Sequence, residues 1–174
     1  MTKYSFTKSG YTLVEILVYI AVFVMISFVV VSLITSVLET NRQATLLNSL
    51  THEAVSSLET ITRTIRGADS VDVANSVFSS ANGILQLLTI SQDLSPKTVK
   101  FYLGSGVVKT DENGTYFGPL SSNSATVTAL IFNLATSTKN NLVKIELDLQ
   151  TGSGKYLKSE KFYSSTELRA DNVI

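Results

Sequence analysis

The sequence has no cysteine, so neither a disulfide framework nor a thiolate metal site can form. A folded domain of this chain must hold together by packing and hydrogen bonding. Histidine occurs once, at His52, which removes any metal cluster built on two or more His ligands. Charge is scarce too. Asp, Glu, Lys and Arg make up 16% of the 174 residues, against roughly 25% in soluble domains. Lys+Arg and Asp+Glu balance at 14 each, so no global field draws in nucleic acid or an acidic surface. The deficit is local: no charged side chain stands between Glu15 and Glu39.

Residues 1–10 (MTKYSFTKSG) are short and polar, with Lys3 and Lys8 and no acid. Residues 11–38 (YTLVEILVYIAVFVMISFVVVSLITSVL) follow without Pro or Gly. From Ile16 to Leu38 the run exceeds the ~20 apolar residues that cross a bilayer as a helix. Its Val and Ile content would suit a strand in water, but lipid forbids an unpaired strand, so a helix is predicted. Two lysines before the run and little positive charge just after it place the N-terminus in the cytoplasm.

The periodicity extends the helix beyond the membrane. Leu47, Leu50, Ala54, Leu58, Ile61 and Ile65 recur at spacings of three and four, forming one apolar stripe. Asn48, His52, Glu53, Ser56, Glu59 and Arg63 fill the other faces, with Glu59 and Arg63 as a favourable i,i+4 pair. Gly67 is the expected stop, and Arg63 and Arg66 complement the helix dipole in the last turn. A helix from Thr12 to Arg66 would be about 80 Å long at 1.5 Å per residue. That exceeds what a domain this small can enclose, so half of it must meet lipid or other protein copies.

After Gly67 the period changes from 3.6 to 2. Within residues 142–150, Val143, Ile145, Leu147 and Leu149 alternate with Lys144, Glu146, Asp148 and Gln150. The turn at 151–154 leads into an expected strand over 155–163. The Asn113-Gly114 pair predicts a hairpin between 107–110 and 115–117. Strands at 84–90, 98–103 and 126–134 complete the set. The predicted fold class is α+β: a long N-terminal helix, membrane-spanning in its first half and amphipathic in its second, packed on one C-terminal antiparallel sheet.

Residues 8–15 (KSGYTLVE), running directly into the apolar stretch, resemble the type III signal of type IV pilins and pseudopilins. That signal has a short basic leader ending in Gly, an aromatic residue, Thr-Leu-hydrophobic-Glu and about 20 apolar residues, a length that also spans a bilayer. Tyr11 stands where Phe is commoner. The resemblance implies cleavage between Gly10 and Tyr11 by a prepilin peptidase, N-methylation of Tyr11, and a role for Glu15 in recruiting and registering the subunit. Lys3 and Lys8 would supply the leader's charge. Residues 61–68 (ITRTIRGA) and 165–169 (STELR) resemble more loosely the minor pseudopilins of the J or W kind.

Physics gives Glu15 a reason. An acid inside a membrane costs about 2.5–3.5 kcal/mol at the bilayer centre. Cleavage would free a cationic amine at Tyr11, one turn away or on a neighbouring subunit. Pairing across subunits would offset the desolvation cost while apolar helix packing supplied contact area. A secretory signal peptide fits less well, because the apolar core is too long and no A-x-A site follows it. A plain signal anchor leaves Gly10 and Glu15 unexplained.

The organisation expected is therefore a leader at 1–10, a transmembrane and assembly half-helix at 11–38, an amphipathic half at 39–67 and an extracytoplasmic β domain at 68–174. The expected function is that of a minor pilin or pseudopilin in a type IV pilus, type II secretion or competence filament. Its partners would be the peptidase, other pilin subunits and, before assembly, membrane lipid. The alternative is a pilus-displayed or membrane-tethered binding module, an adhesin or a DNA-binding minor pilin. No catalytic constellation, metal site or cofactor is expected. His52 reads as a solvated surface residue. Gly104-Ser105-Gly106 and Gly152-Ser153-Gly154 read as turns, since neither opens a helix in the P-loop arrangement. Tyr156, Lys158, Lys161, Phe162 and Tyr163 mix bases with aromatics, but Glu160 interrupts the charge, so nucleic-acid binding is not favoured.

Overall fold

The computed structural model describes residues 10–91, 94–122, 125–136 and 141–168. The helix α1 spans Leu13–Gly67. The chain divides into two compact units, Met1–Gln43 and Ala44–Ile174.

In the first unit α1 is apolar on every side. Between residues 13 and 40 only Glu15 and Ser27 are even partly covered. The helix has no interior Pro or Gly to break it. Its two threonine hydroxyls turn back onto the helix, as suits a helix in hydrocarbon: Thr35 Oγ1 donates to the Val31 and Ser32 carbonyls at 3.2 and 2.9 Å, and Thr40 Oγ1 to the Ser36 carbonyl at 3.0 Å. One helix of the described chain is thus long and apolar enough to cross a membrane, and none of its apolar window is buried.

In the second unit α1 is amphipathic. Leu50, Ala54, Leu58, Ile61 and Ile65 are buried as the stripe predicts, and Leu47 is half-buried at its start. Ser57 is buried among them. The helix ends at Gly67, where the Ala68 amide donates to Ile65 in a tighter last turn.

Among the described residues eight strands follow. Five form an antiparallel sheet in sequence order: β1 (Ser70–Val71), β2 (Ile84–Ile90), β3 (Pro96–Gly104), β4 (Val107–Glu112) and β5 (Thr115–Pro119). Three form a second: β6 (Thr126–Thr136), β7 (Asn141–Thr151) and β8 (Lys158–Glu167). The α+β architecture is the one predicted, but the strands divide into two sheets rather than one. Their junction lies at the outer edge of β6, which bonds to loops instead of a strand. Gly83 donates to the Leu130 carbonyl at 2.8 Å, the Leu130 amide to Ala81 at 2.9 Å, and the Val127 amide to Gly106 at 2.8 Å.

Turn chemistry sets the hairpins. Asn113 and Gly114 both have positive φ, as do Ser105 and Gly106, so β3–β4 and β4–β5 close through two-residue turns of the type that matches strand twist. The β7–β8 connection differs from expectation. Residues 154–156 form a 3-10 turn, and β8 begins at Lys158 rather than at 155. Gly152 has φ +84°, and a Cβ there would lie 2.3 Å from the Tyr156 carbonyl. The chain folds back on itself before it can enter the sheet.

The core joins the helix stripe to both sheets: Leu50, Ile61 and Ile65 cluster with Leu85, Phe101, Val108, Phe132, Ile145 and Leu147. Close approach at the sheet junction needs a bare backbone. A Cβ on Gly83 would sit 2.6 Å from the Leu130 oxygen. Gly83→Ala is expected to lower the unfolding free energy by about 1–3 kcal/mol, read as a shift in denaturant midpoint. Gly118→Ala, whose added methyl meets nothing within 4 Å, should stay within about 0.5 kcal/mol of the wild type.

Candidate functional site

The residues singled out by sequence gather at the start of α1. Thr12 precedes the first helical residue and caps it. Its carbonyl accepts the Glu15 and Ile16 amides at 3.1 and 3.3 Å, and its Oγ1 accepts the Glu15 amide at 3.3 Å. Thr12-Leu13-Val14-Glu15 is thus the T-x-x-E spacing of a capping box. Only half of the box is made, because the Glu15 carboxylate turns the other way. Tyr19 Oη donates to Glu15 Oε1 at 3.1 Å. The Tyr11 ring meets the Tyr19 ring edge-on, centroids 6.4 Å apart and planes at 76°.

Tyr11, Glu15 and Tyr19 therefore lie on one face, four residues apart. The acid sits in the first turn, where the helix dipole favours negative charge. Gly10 and Tyr11 lie outside the helix and are exposed. No described atom comes within 4 Å of a Cβ built on Gly10, so the local packing of the described residues makes no demand for glycine there. Lys3 and Lys8 lie outside the described residues.

No family model, no curated protein and no solved structure matches this chain. Its reading rests on its own geometry.

Other residues named from sequence fall as follows. His52 is exposed, and the described residues contain no group of three or more His, Cys, Asp or Glu able to hold a metal. Arg63 reaches Glu59 at 2.7 Å, both exposed. The basic and aromatic side chains near the C-terminus split between two strand faces. Phe162 is half-buried and packs against the core, whereas Tyr163 is exposed. Lys161 is held by Asp148 at 3.0 Å and Glu146 at 3.2 Å on neighbouring β7. Those carboxylates, Asp148 foremost, raise its pKa above the ordinary lysine value. Of the terminal segment 165–169, Ser165 to Glu167 complete β8 and Leu168 is buried; Arg169 lies outside the described residues.

Two roles escaped the sequence reading. Glu53, placed there on a solvent face, is half-buried and binds the loop after β5: its carboxylate accepts the Ser122 amide and, at 2.7 Å, the Ser122 hydroxyl. Neighbouring Ser121 accepts the Val108 amide at 2.9 Å, so the loop is tied to helix and sheet together. Arg66 donates to the buried Thr166 at 3.0 Å, adding a strand contact to its dipole role. The partners lie 69 and 100 residues away along the chain, and periodicity reports which face a residue shares, not which distant segment meets it.

Glu53→Ala should lower stability by about 1.5–3 kcal/mol, the range for hydrogen bonds to a charged group, measured by chemical unfolding of the full chain in micelles. Thr12→Ala should loosen only the helix start. The Glu15 amide should exchange about fivefold faster, matching the ~1 kcal/mol of a lost cap, with exchange at Ile61 unchanged.

Proposed function

We propose that this chain is a type IV pilin-like subunit, of the minor pilin or pseudopilin kind, made as a membrane-inserted precursor and polymerised through the first half of α1. The observation that carries the reading is the Gly10–Tyr11 link: exposed, outside the helix, one residue ahead of a capped start and of an apolar run that the described residues leave uncovered. A peptidase needs accessible backbone free of helical hydrogen bonding, and this exposed link outside the helix is such a stretch, beside a helix that would be anchored in the bilayer.

Hydrolysis there would leave the Gly10 carboxylate on the leader and a cationic amine on Tyr11, which the peptidase would N-methylate. Glu15 would then meet that amine, in its own subunit or the next. Until then Tyr19 would serve the carboxylate as a hydrogen-bond donor, easing the cost of an acid in lipid. In the filament the apolar faces of neighbouring helices would replace lipid, with van der Waals packing supplying the association energy. The N-terminus would lie in the cytoplasm and the β domain outside. A second reading, a tethered binding module, is favoured by an open groove between the last turns of α1 and the first sheet.

The test is intact mass and N-terminal sequence after co-expression with a prepilin peptidase. A product beginning at Tyr11 and heavier by one methyl group is expected, with Gly10→Leu left uncut. An uncut wild-type chain beside a positive-control pilin would overturn the reading. Glu15→Ala should still be cut yet be absent from sheared filaments, and its normal incorporation would remove Glu15 from the assembly step.

A further inference from the structure

The groove named above holds about 570 Å³, within the range of small-molecule sites. It opens where α1 stops covering the inner face of the first sheet. Its floor is apolar, made by Val99 and Phe101, both buried. Phe117 on the edge strand β5 stands at its rim with 71% of its surface exposed.

The polar wall has an uneven hydrogen-bonding character. A threonine hydroxyl offers one donor and two acceptor sites. Three of the lining hydroxyls have spent their proton on backbone carbonyls: Thr60 on Ser56 at 3.0 Å, Thr64 on Thr60 at 2.9 Å and Thr89 on Gly67 at 3.3 Å. What they have left is acceptor capacity. The two lining charges, Lys97 and Glu112, pair with each other at 2.8 Å and are each 30% exposed. The charged lining is therefore neutral. Thr110, also in the lining, is 95% buried, and its hydroxyl has no hydrogen-bond partner among the described residues.

We propose that this groove binds a neutral saccharide. The walls call for a ligand rich in hydrogen-bond donors and without net charge, and the floor and rim call for apolar C–H surface. Aromatic faces carry partial negative charge and favour the weakly positive C–H bonds of a sugar ring. A pyranose carries hydroxyl donors around its edge and C–H bonds on its face, and its hydroxyls can donate to the Thr60, Thr64 and Thr89 oxygens while accepting from Lys97. A phosphate or nucleic-acid ligand would instead meet the same acceptor oxygens and the Glu112 carboxylate, with the lysine already paired. The proposal does not depend on filament assembly, and the mass measurement that decides processing leaves it untouched.

The experiment is an amide NMR titration of the full chain in a zwitterionic, non-glycosidic detergent, since a maltoside would occupy the site. The probes are maltotriose, cellotriose and chitotriose, with a short oligo-thymidylate as the anionic comparison. At least one trisaccharide should shift the amides of Thr64, Thr89 and Phe117 together, with a dissociation constant on the order of 1 mM. Phe117→Ala should weaken binding about tenfold, the upper range for one aromatic contact, at an unchanged melting temperature. Tyr163→Ala, an exposed ring on the other sheet, should bind as the wild type does. Three outcomes would overturn the proposal: silence with all three sugars up to about 20 mM, a span reaching well below millimolar affinity; wild-type binding by Phe117→Ala; or tighter binding of the oligo-thymidylate.

Discussion

An apolar helix surface that none of the described residues covers is the constraint on which the rest of this structure depends. Hydrophobic free energy scales with area removed from water, at about 25 cal/mol per Å². A run like residues 16–38, long and apolar enough to cross a membrane, therefore carries a large cost in water. Several polar groups in or beside that run are bonded within the helix. Thr35 and Thr40 turn their hydroxyls back onto helix carbonyls, Thr12 closes the helix start, and Glu15 takes the Tyr19 hydroxyl. The same helix then changes character. Once its apolar residues contract to a stripe, it can serve as the core element of a β domain.

Local periodicity made much of this legible. Leu50, Ala54, Leu58, Ile61 and Ile65 were assigned to the core from spacing alone, because a helix repeats every 3.6 residues whatever it packs against. Strand alternation in 142–150 was equally clear, since residues i and i+2 share a face. Period 2 reveals a strand but not its neighbour, and the split into two sheets was invisible for that reason. It depends on Gly83 meeting Leu130 across 47 residues of sequence, a contact with no periodic signature. Ser57 escaped because a hydroxyl on a buried face breaks the apolar pattern that identifies the face.

The candidate site was legible in a different sense. Gly10, Tyr11 and Glu15 stood out as a linear pattern, which needs no tertiary knowledge. What the structure adds is local geometry. Thr12 is an N-cap as well as a motif position, so the Thr-x-x-Glu spacing has a helix-starting role of its own, independent of any processing. Tyr19 holds no position in the motif. Its ring against Tyr11 and its hydroxyl on Glu15 make it part of the same face, a relation implicit in the i,i+4 spacing but without consequence until the side chains are placed.

The absence of cysteine finally explains the polar contacts that reach across the β domain. A disulfide would tie distant segments with about 2–4 kcal/mol. Here Glu53 grips the loop at Ser122, Arg66 holds Thr166, and Thr62 meets Ser164 at 3.3 Å. All three start from α1 and end on segments at least 69 residues away. A neutral hydrogen bond contributes about 0.5–1.5 kcal/mol and one to a charged group about 1.5–3, so together they are at least comparable with a disulfide in magnitude. They differ in kind. A covalent tether acts chiefly on the unfolded chain, whereas these contacts exist only when the helix is docked with its faces correctly turned. They fix the rotation of α1 about its axis within the β domain, and that rotation keeps Thr60 and Thr64 at the groove while the stripe stays in the core.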